Sequence, residues 1–236
     1  MIAVILMAGG RSSRMGPEIT DKALALVEKR SVFAWSVDAF ASSGVADIAV
    51  VVHRDERQRE VLAEEMSSCP SLPKVIWAQG GEKRRDSVRN GLKALPDEIE
   101  AVFIHDCARP LVRPATLIAL SEAVTEHSAV TLARRITDTV KLARETENED
   151  IYLTKPLDRQ CLWAMETPQV FRKNLIVRAH AHADRENLPL TDDVSAVEAL
   201  GEPIRLMETG YPNPKVTTQD DLAWIEYHLS ERKALA

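Results

Sequence analysis

Five apolar, β-branched runs recur along this chain without alternating with polar residues: Ile2–Met7, Ile48–His53, Lys74–Ala78, Ala101–His105 and Ala129–Ala133. Alternation marks a strand with one wet face; continuous runs of this length mark strands covered on both faces. Helical patterning lies between the runs. Ser31 can N-cap a helix running to about Ser42, with Gly44 as its stop, and Asp55–Met66, Ser87–Ala94 and Pro114–Glu126 carry similar patterning. This alternation predicts right-handed crossovers and an α/β fold built on a doubly wound, mostly parallel open sheet. Ligands of such sheets sit beyond the C-terminal ends of the strands. Residues directly after the runs are therefore the first place to look for chemistry.

From about Thr137 to Leu162 the rhythm changes. "TVKLARETENEDIYLTKPLDR" reads as two extended segments around an acidic turn, a β-hairpin arm over 137–162 that projects from the sheet. Beyond it, Lys173–Ala183 and Asp192–Leu200 read as helices, the second with Thr191 as N-cap and Gly201 as stop. Ile204–Glu208 reads as one more strand. Thr218–Arg232 reads as a closing helix opened by Thr218 and the early Asp221. No repeat, low-complexity stretch or linker interrupts the pattern, so one domain over 1–236 carrying an arm is expected.

Charge and cysteine usage narrow the partners. A net charge of -6 gives no long-range attraction to nucleic acid or to an anionic membrane, so neither is an expected partner. Any phosphate must be held by local basic groups. Cys69, Cys107 and Cys161 are odd in number, widely spaced and form no CxxC pair, which argues against a disulfide framework or a zinc site and fits a reducing cytoplasm. The N-terminal apolar run is too short for a membrane span and lacks a preceding basic region, so no signal peptide is expected.

The loop after the first run, "LMAGGRSSRMG" (Leu6–Gly16), combines two glycines with two arginines. Gly9 and Gly10 permit a close backbone approach or a positive φ, and successive N–H groups there can form an anion nest. Arg11 and Arg14 can follow a phosphate chain; the alternative is a tight strand exit with solvated arginines. The GK[ST] ending of a Walker loop and the GxGxxG pattern are both absent. Lys22 follows in "TDKAL". "GGEKRRDSVRNGL" (Gly80–Leu92) again places two glycines, then basic residues, then a helix start that Asp86 or Ser87 can cap; such N-termini attract anions. "FIHDCARPLV" (Phe103–Val112) sets Asp106 at a strand end, beside His105 and before Arg109. A carboxylate there can orient Mg²⁺ or receive substrate hydroxyls, whereas His105 reads as a satisfied, partly buried histidine. Thr139 and Lys141 in "DTVK", Arg159 in the arm, Thr167 in "ETPQVF" and Lys215 in "NPKVTT" are further candidates. Asp192 and Asp193 in "TDD" are either a carboxylate pair or first-turn acids favoured by the helix dipole.

Taken in order, "LMAGGRSSRMG", "GGEKRRDSVRNGL", "HDCARPLV", "DTVK", "TPQVF", "TDD" and "NPKVTT" resemble one family over nearly the whole chain, the 2-C-methyl-D-erythritol 4-phosphate cytidylyltransferases. The resemblance implies a Rossmann-like nucleotidyltransferase sheet whose β-arm is exchanged between subunits of a homodimer. It implies a cytoplasmic enzyme of non-mevalonate isoprenoid synthesis that joins CTP to a polyol phosphate and releases pyrophosphate. It further implies that Ala8, Gly9 and Gly10 line the nucleotide, that Arg14 and Lys22 contact the triphosphate, and that Gly81, Glu82 and Ser87 face cytosine. Asp106 and Arg109 would meet methylerythritol phosphate, with Thr167 and Lys215 near it. Arg14, Lys22 and Lys215 are thereby the expected catalytic cations, and Thr139 and Arg159 on the arm would be given to the neighbouring subunit's site. The implied cofactor is Mg²⁺, held mainly by the phosphates, with Asp106 a candidate ligand. Ser12 stands where that family usually has glycine, and Cys107 replaces alanine. The ribitol 5-phosphate cytidylyltransferases share the chemistry and most motifs; "HDCARP" leans toward the erythritol family.

Overall fold

The structure, a computed structural model, describes residues 1–10, 15, 21–69, 72–145 and 151–234. Arg14 and Ser12, on which two expectations fall, lie outside the described residues, as does the acidic turn 146–150 of the arm. In chain order the elements are β1 (Ile2–Met7), β2 (Leu26–Val27), β3 (Arg30–Ser31), α1 (Val32–Ser43), β4 (Ile48–His53), α2 (Glu56–Ser67), β5 (Val75–Gln79) and α3 (Arg84–Lys93). They continue as β6 (Ala101–Asp106), α4 (Pro114–Glu126), β7 (Ala129–Arg135), β8 (Lys141–Glu145), β9 (Ile151–Pro156), β10 (Trp163–Arg172), α5 (Lys173–Arg185), α6 (Asp193–Glu198), β11 (Arg205–Glu208) and α7 (Asp220–Ala234).

Among the described residues seven strands form one sheet in the order β11-β7-β10-β6-β1-β4-β5. The pairs β1–β4, β1–β6, β4–β5 and β11–β7 are parallel, and β10 runs antiparallel between β6 and β7. The continuous apolar runs are explained by burial on both faces. Val4 and Leu6 of β1 pack with Phe33, Val37 and Phe40 of α1, Leu62 of α2 and Leu117 of α4. Ala3 and Ile5, on the other face, pack with Val88 and Leu92 of α3 and Leu175 and Ile176 of α5. The doubly wound, mostly parallel sheet expected from the pattern is thus present.

Local starts and stops follow side-chain chemistry. Ser31 caps α1 by accepting the Ala34 N–H at 3.0 Å, and Gly44 ends it with φ 65°, a left-handed conformation that glycine adopts without a Cβ penalty. Asp55 caps α2 by accepting the Gln58 N–H. Three boundaries differ from expectation. Helix α3 starts earlier, with Lys83 at the cap position; Asp86 is its third residue and its carboxylate accepts the Lys83 N–H at 3.1 Å, so Asp86 closes the turn from inside the helix. Helix α6 is capped by Asp192, whose carboxylate accepts the Ser195 N–H at 2.9 Å, and not by Thr191. Helix α7 starts at Asp220, and Asp221 accepts the N–H groups of Thr217 and Thr218 at 2.7 and 2.8 Å.

The strand β10 is absent from the pattern reading. Its first half, "WAMET", has no continuous apolar run, and its register shifts between Met165 and Gln169. The arm is the antiparallel pair β8–β9. Among the described residues no helix is long and apolar enough to cross a membrane.

Candidate active site

Four parallel strands, β1, β4, β5 and β6, end side by side, and the chain leaving each contributes to one cavity of about 520 Å³. From β1 come Ala8, Gly9 and Gly10; from β4, Arg54; from β5, Gly80, Gly81, Glu82, Lys83 and Arg84; from β6, Asp106. Lys22, Ser87 and Lys215 complete its wall. Five cationic side chains, Lys22, Arg54, Lys83, Arg84 and Lys215, therefore line one opening in a chain of net charge -6. The local concentration of positive charge meets the requirement that bulk charge does not.

The glycines serve close approach. A Cβ on Gly9 would lie 3.1 Å from the Arg54 nitrogen and from the His53 carbonyl carbon, and one on Gly81 would lie 2.3 Å from Asp86 Cβ. Neither Gly9 nor Gly10 has a positive φ, so of the two uses open to them in the sequence, proximity is the one the fold employs at Gly9. Gly10 packs beneath Lys22, whose Cε lies 3.6 Å from the position a Cβ would take. The Gly81 N–H donates to Ser87 Oγ at 2.9 Å, which fixes the turn that presents Glu82 and Lys83.

A second cavity of about 310 Å³ adjoins the first. Arg109, Met165, Glu166, Thr167, Gln169, Thr191 and Asp192 line it, together with Arg84, Asp106 and Lys215, which border both spaces. Asp106 sits at this waist. Its Oδ2 accepts from Lys215 Nζ at 2.5 Å, and its Oδ1 accepts from Nε and Nη2 of Arg84, both at 3.2 Å. Burial would raise the Asp106 pKa, but the adjacent Arg84 and Lys215 charges outweigh it and hold the carboxyl well below the usual carboxylate range. Arg84 is likewise desolvated, and its two carboxylate partners, Asp193 and Asp106, keep its guanidinium charged.

Backbone ties explain why distant segments converge here. Val216 N–H donates to the Ala108 carbonyl at 2.7 Å, which brings the Lys215 segment onto the loop after β6. Thr167 Oγ1 accepts the Asp106 N–H at 3.1 Å across the β6–β10 seam. Arg109 donates to the Asn213 carbonyl at 2.7 Å and to the Met165 carbonyl at 3.3 Å, binding β10 to the segment that carries Lys215. His105 is fully buried, and desolvation pulls its pKa down to about 3, so the ring is neutral. Its Nδ1 lies 3.2 Å from Thr167 Oγ1, a packing and positioning contact.

The structure therefore brings Ala8, Gly9, Gly10, Lys22, Gly81, Glu82, Ser87, Asp106, Arg109, Thr167 and Lys215 to one double cleft. It does not bring Thr139 or Arg159 there. Both are exposed on or beside the arm, and Arg159 donates to the Thr137 carbonyl at 3.1 Å. Arg54, Arg84 and Gln169 also line this cleft, and no motif in the sequence marks them individually. Arg84 carried a signal, the basic run after a glycine pair; Arg54 carried a weaker one, a cation directly after a buried strand.

A doubly wound α/β sheet with a cation-lined, two-lobed cleft at its strand ends defines an enzyme of the nucleotidyltransferase class. The comparisons narrow the class. A family model described as 2-C-methyl-D-erythritol 4-phosphate cytidylyltransferase matches residues 2–231, and the chain belongs to that family. A protein of that name from Desulforamulus reducens is 37% identical over 233 residues, covering 98% of this chain and 97% of its own. A crystal structure of the 2-C-methyl-D-erythritol 4-phosphate cytidylyltransferase from Thermus thermophilus superposes with a TM-score of 0.75 at 27% identity, over 96% of this chain and 98% of that one. The fold is matched by a 4-diphosphocytidyl-2C-methyl-D-erythritol synthase structure from Anaerococcus prevotii, with a TM-score of 0.83 at 24% identity and 98% coverage of both chains.

Proposed function

We propose that this chain transfers the cytidylyl group of CTP to 2-C-methyl-D-erythritol 4-phosphate, giving 4-diphosphocytidyl-2-C-methyl-D-erythritol and pyrophosphate in isoprenoid precursor synthesis. The observation that carries this reading is the pair of cavities meeting at Asp106, Arg84 and Lys215. One lobe suits a nucleoside triphosphate and the other a small phosphorylated polyol.

The reaction forms one bond and breaks one. An oxygen of the polyol phosphate attacks the α-phosphorus of CTP in line, and the bond to the bridging oxygen of the β-phosphate breaks. A phosphate monoester is already nucleophilic near neutral pH, so no general base is required. The obstacle is repulsion between two polyanions. Lys22, from the nucleotide side, and Lys215, from the waist, offset that repulsion and stabilise charge on the transferring group and on pyrophosphate, and the family motif assigns Arg14, outside the described residues, to the same task. Ala8, Gly9 and Gly10 line the nucleotide, and Gly81, Glu82 and Ser87 face the cytosine edge. Asp106 and Thr167 receive the polyol, and Arg109 faces its phosphate. Positioning of the two substrates supplies much of the remaining acceleration.

Among the described residues no group of three or more His, Cys, Asp or Glu side chains is placed to hold a metal ion. Both Asp106 oxygens are engaged by cations. The residues thus fit a Mg²⁺ carried by the phosphates, with Asp106 reachable in exchange for Lys215. The chemistry supplied there by a Mg²⁺ bound with the triphosphate would be withdrawal of charge from the reacting phosphorus and the leaving group. The arm pairs two copies into a homodimer and presents Thr139 and Arg159 to the neighbouring cleft. This assignment is supported by their exposure away from their own cleft.

Pyrophosphate release with CTP and Mg²⁺ tests the reading, with methylerythritol phosphate and ribitol 5-phosphate compared as acceptors. Release with methylerythritol phosphate is expected. Release with ribitol phosphate alone, or with neither acceptor, overturns it.

A further inference from the structure

The two acids of "TDD" have separate roles that the catalytic reading leaves unused. Asp192 caps α6. Asp193 is 1% exposed, and its carboxylate reaches outward to the site: Oδ2 accepts from Arg84 Nη1 at 2.8 Å. Its Oδ1 lies 3.3 Å from His180 Nε2 of α5, and its N–H donates to Gln169 Oε1 at 3.1 Å. Gln169, on β10, also donates from Nε2 to Asp192 Oδ2 at 2.9 Å. Asp193 is thereby fixed by α5, by β10 and by its own helix. Arg84 spends one N–H group on this buried anchor and two on Asp106.

The two cations on Asp106 are therefore unequal. Lys215 is tied to Asp106 by a single flexible amine, whereas Arg84 is held from behind by a buried carboxylate with partners on α5 and β10. We infer that Asp193 is a positioning residue for the polyol-phosphate lobe: it clamps Arg84 onto Asp106, so that Asp106 keeps its orientation and its compensating charge when Lys215 swings to an incoming phosphate. Without the clamp, Arg84 would be free to follow Lys215 onto the phosphate, and Asp106 would be left buried and unpaired, a costly state. The clamp therefore separates two duties. Arg84 maintains the carboxylate that reads the polyol hydroxyls, and Lys215 is released to the phosphate.

This inference rests on the proposed cytidylyl transfer, and the test separates the two. Steady-state kinetics of pyrophosphate release are measured for the wild type, Asp193→Asn, Arg84→Gln and the double variant, with thermal melts alongside. For Asp193→Asn the KM for methylerythritol phosphate is expected to rise about tenfold or more, while the KM for CTP stays within about twofold. In the Arg84→Gln background the same substitution should add little, because residues acting through one contact are non-additive. A wild type inactive with both acceptors overturns the proposed reaction, and this role with it. An active wild type overturns this inference alone if Asp193→Asn leaves the polyol-phosphate KM unchanged. It does so equally if both KM values rise together or if the two substitutions add fully; these are the signatures of a merely structural role. Should Asp193→Asn fail to fold, Arg84→Gln carries the test: an unchanged polyol-phosphate KM in that variant overturns the clamp, and a selective rise supports it.

Discussion

Gln58 donates from one amide nitrogen to the Ala8 carbonyl at 3.1 Å and to Asp21 Oδ2 at 2.5 Å. Its Oε1 accepts the Arg54 N–H at 2.6 Å. One 2% exposed side chain thus joins three segments that form the nucleotide lobe: the loop after β1, the stretch carrying Lys22, and the exit of β4. Burial raises the Asp21 carboxyl, and the Gln58 hydrogen bond is the strongest influence pulling it back. Gln58→Leu removes that donor and leaves the Arg54 N–H without its acceptor, while the Ala8 carbonyl keeps the Gly10 N–H and Asp21 keeps Arg54, at a cost of about 1–3 kcal/mol. A lower melting temperature and a raised KM for CTP are expected, with the KM for the polyol phosphate little changed. Calorimetric melts and two-substrate kinetics check this, and equal effects on both KM values would refute it.

Lys22 and Lys215 reach the same cavity from segments almost the whole chain apart. If both stabilise charge that grows during transfer, Lys22→Ala and Lys215→Ala each lower kcat by about 10²–10³-fold, the range typical of removing one preorganised electrostatic group. The fold should survive Lys215→Ala, because Arg84 still pairs with Asp106. Rapid-quench measurement of product formation, with circular dichroism for the fold, tests both variants. A rise in KM with kcat unchanged would show that the amines contribute ground-state binding alone.

The sheet was legible because burial on both faces erases polar positions from a strand, and the five expected runs became β1, β4, β5, β6 and β7. The arm was legible from its break in rhythm. Strand β10 was not, since its sequence answers to local demands: Thr167 and Glu166 are buried polar residues paired to Asp106, Thr209 and Asn213, and their polarity masks a buried strand. The site was legible where motif and strand end coincide, at Gly9, Gly81 and Asp106. Asp193 stands out in "TDD" but its partner does not, and Arg84 and Gln58 were hidden for the same reason. Each acts through a partner far away in sequence, and no local spacing encodes such a contact.

His105 gives a pH-dependent prediction. Desolvation lowers its pKa from the ordinary 6.5 to about 3 in the folded protein. The folded state therefore favours the neutral ring, and unfolding takes up a proton when the pH lies between those values. Its contribution to stability is present in full above about pH 6.5 and is lost progressively as the pH falls through that window. His105→Gln removes the titration. Its melting temperature should decline less steeply than that of the wild type between about pH 6.5 and pH 4. Parallel curves for the two proteins would show that the ring is not held neutral by the fold.

The arm exposes Ile151 (71%), Leu153 (73%), Tyr152 (60%) and Leu142 (51%). A two-stranded hairpin is marginal alone in water, and large apolar side chains gathered on one mark a surface that a partner covers. A second copy of the chain is the partner the proposed reading requires, since Thr139 and Arg159 lie outside their own cleft. Replacing Ile151 and Leu153 together by Asp sets charge into that contact without touching the sheet, the core or either cavity. Sedimentation velocity should then show monomer where the wild type sediments as dimer. Pyrophosphate release should fall with it, through a raised KM for the polyol phosphate more than for CTP. A wild type that is monomeric at assay concentration yet fully active would rule out any contribution of the neighbouring arm to the cleft.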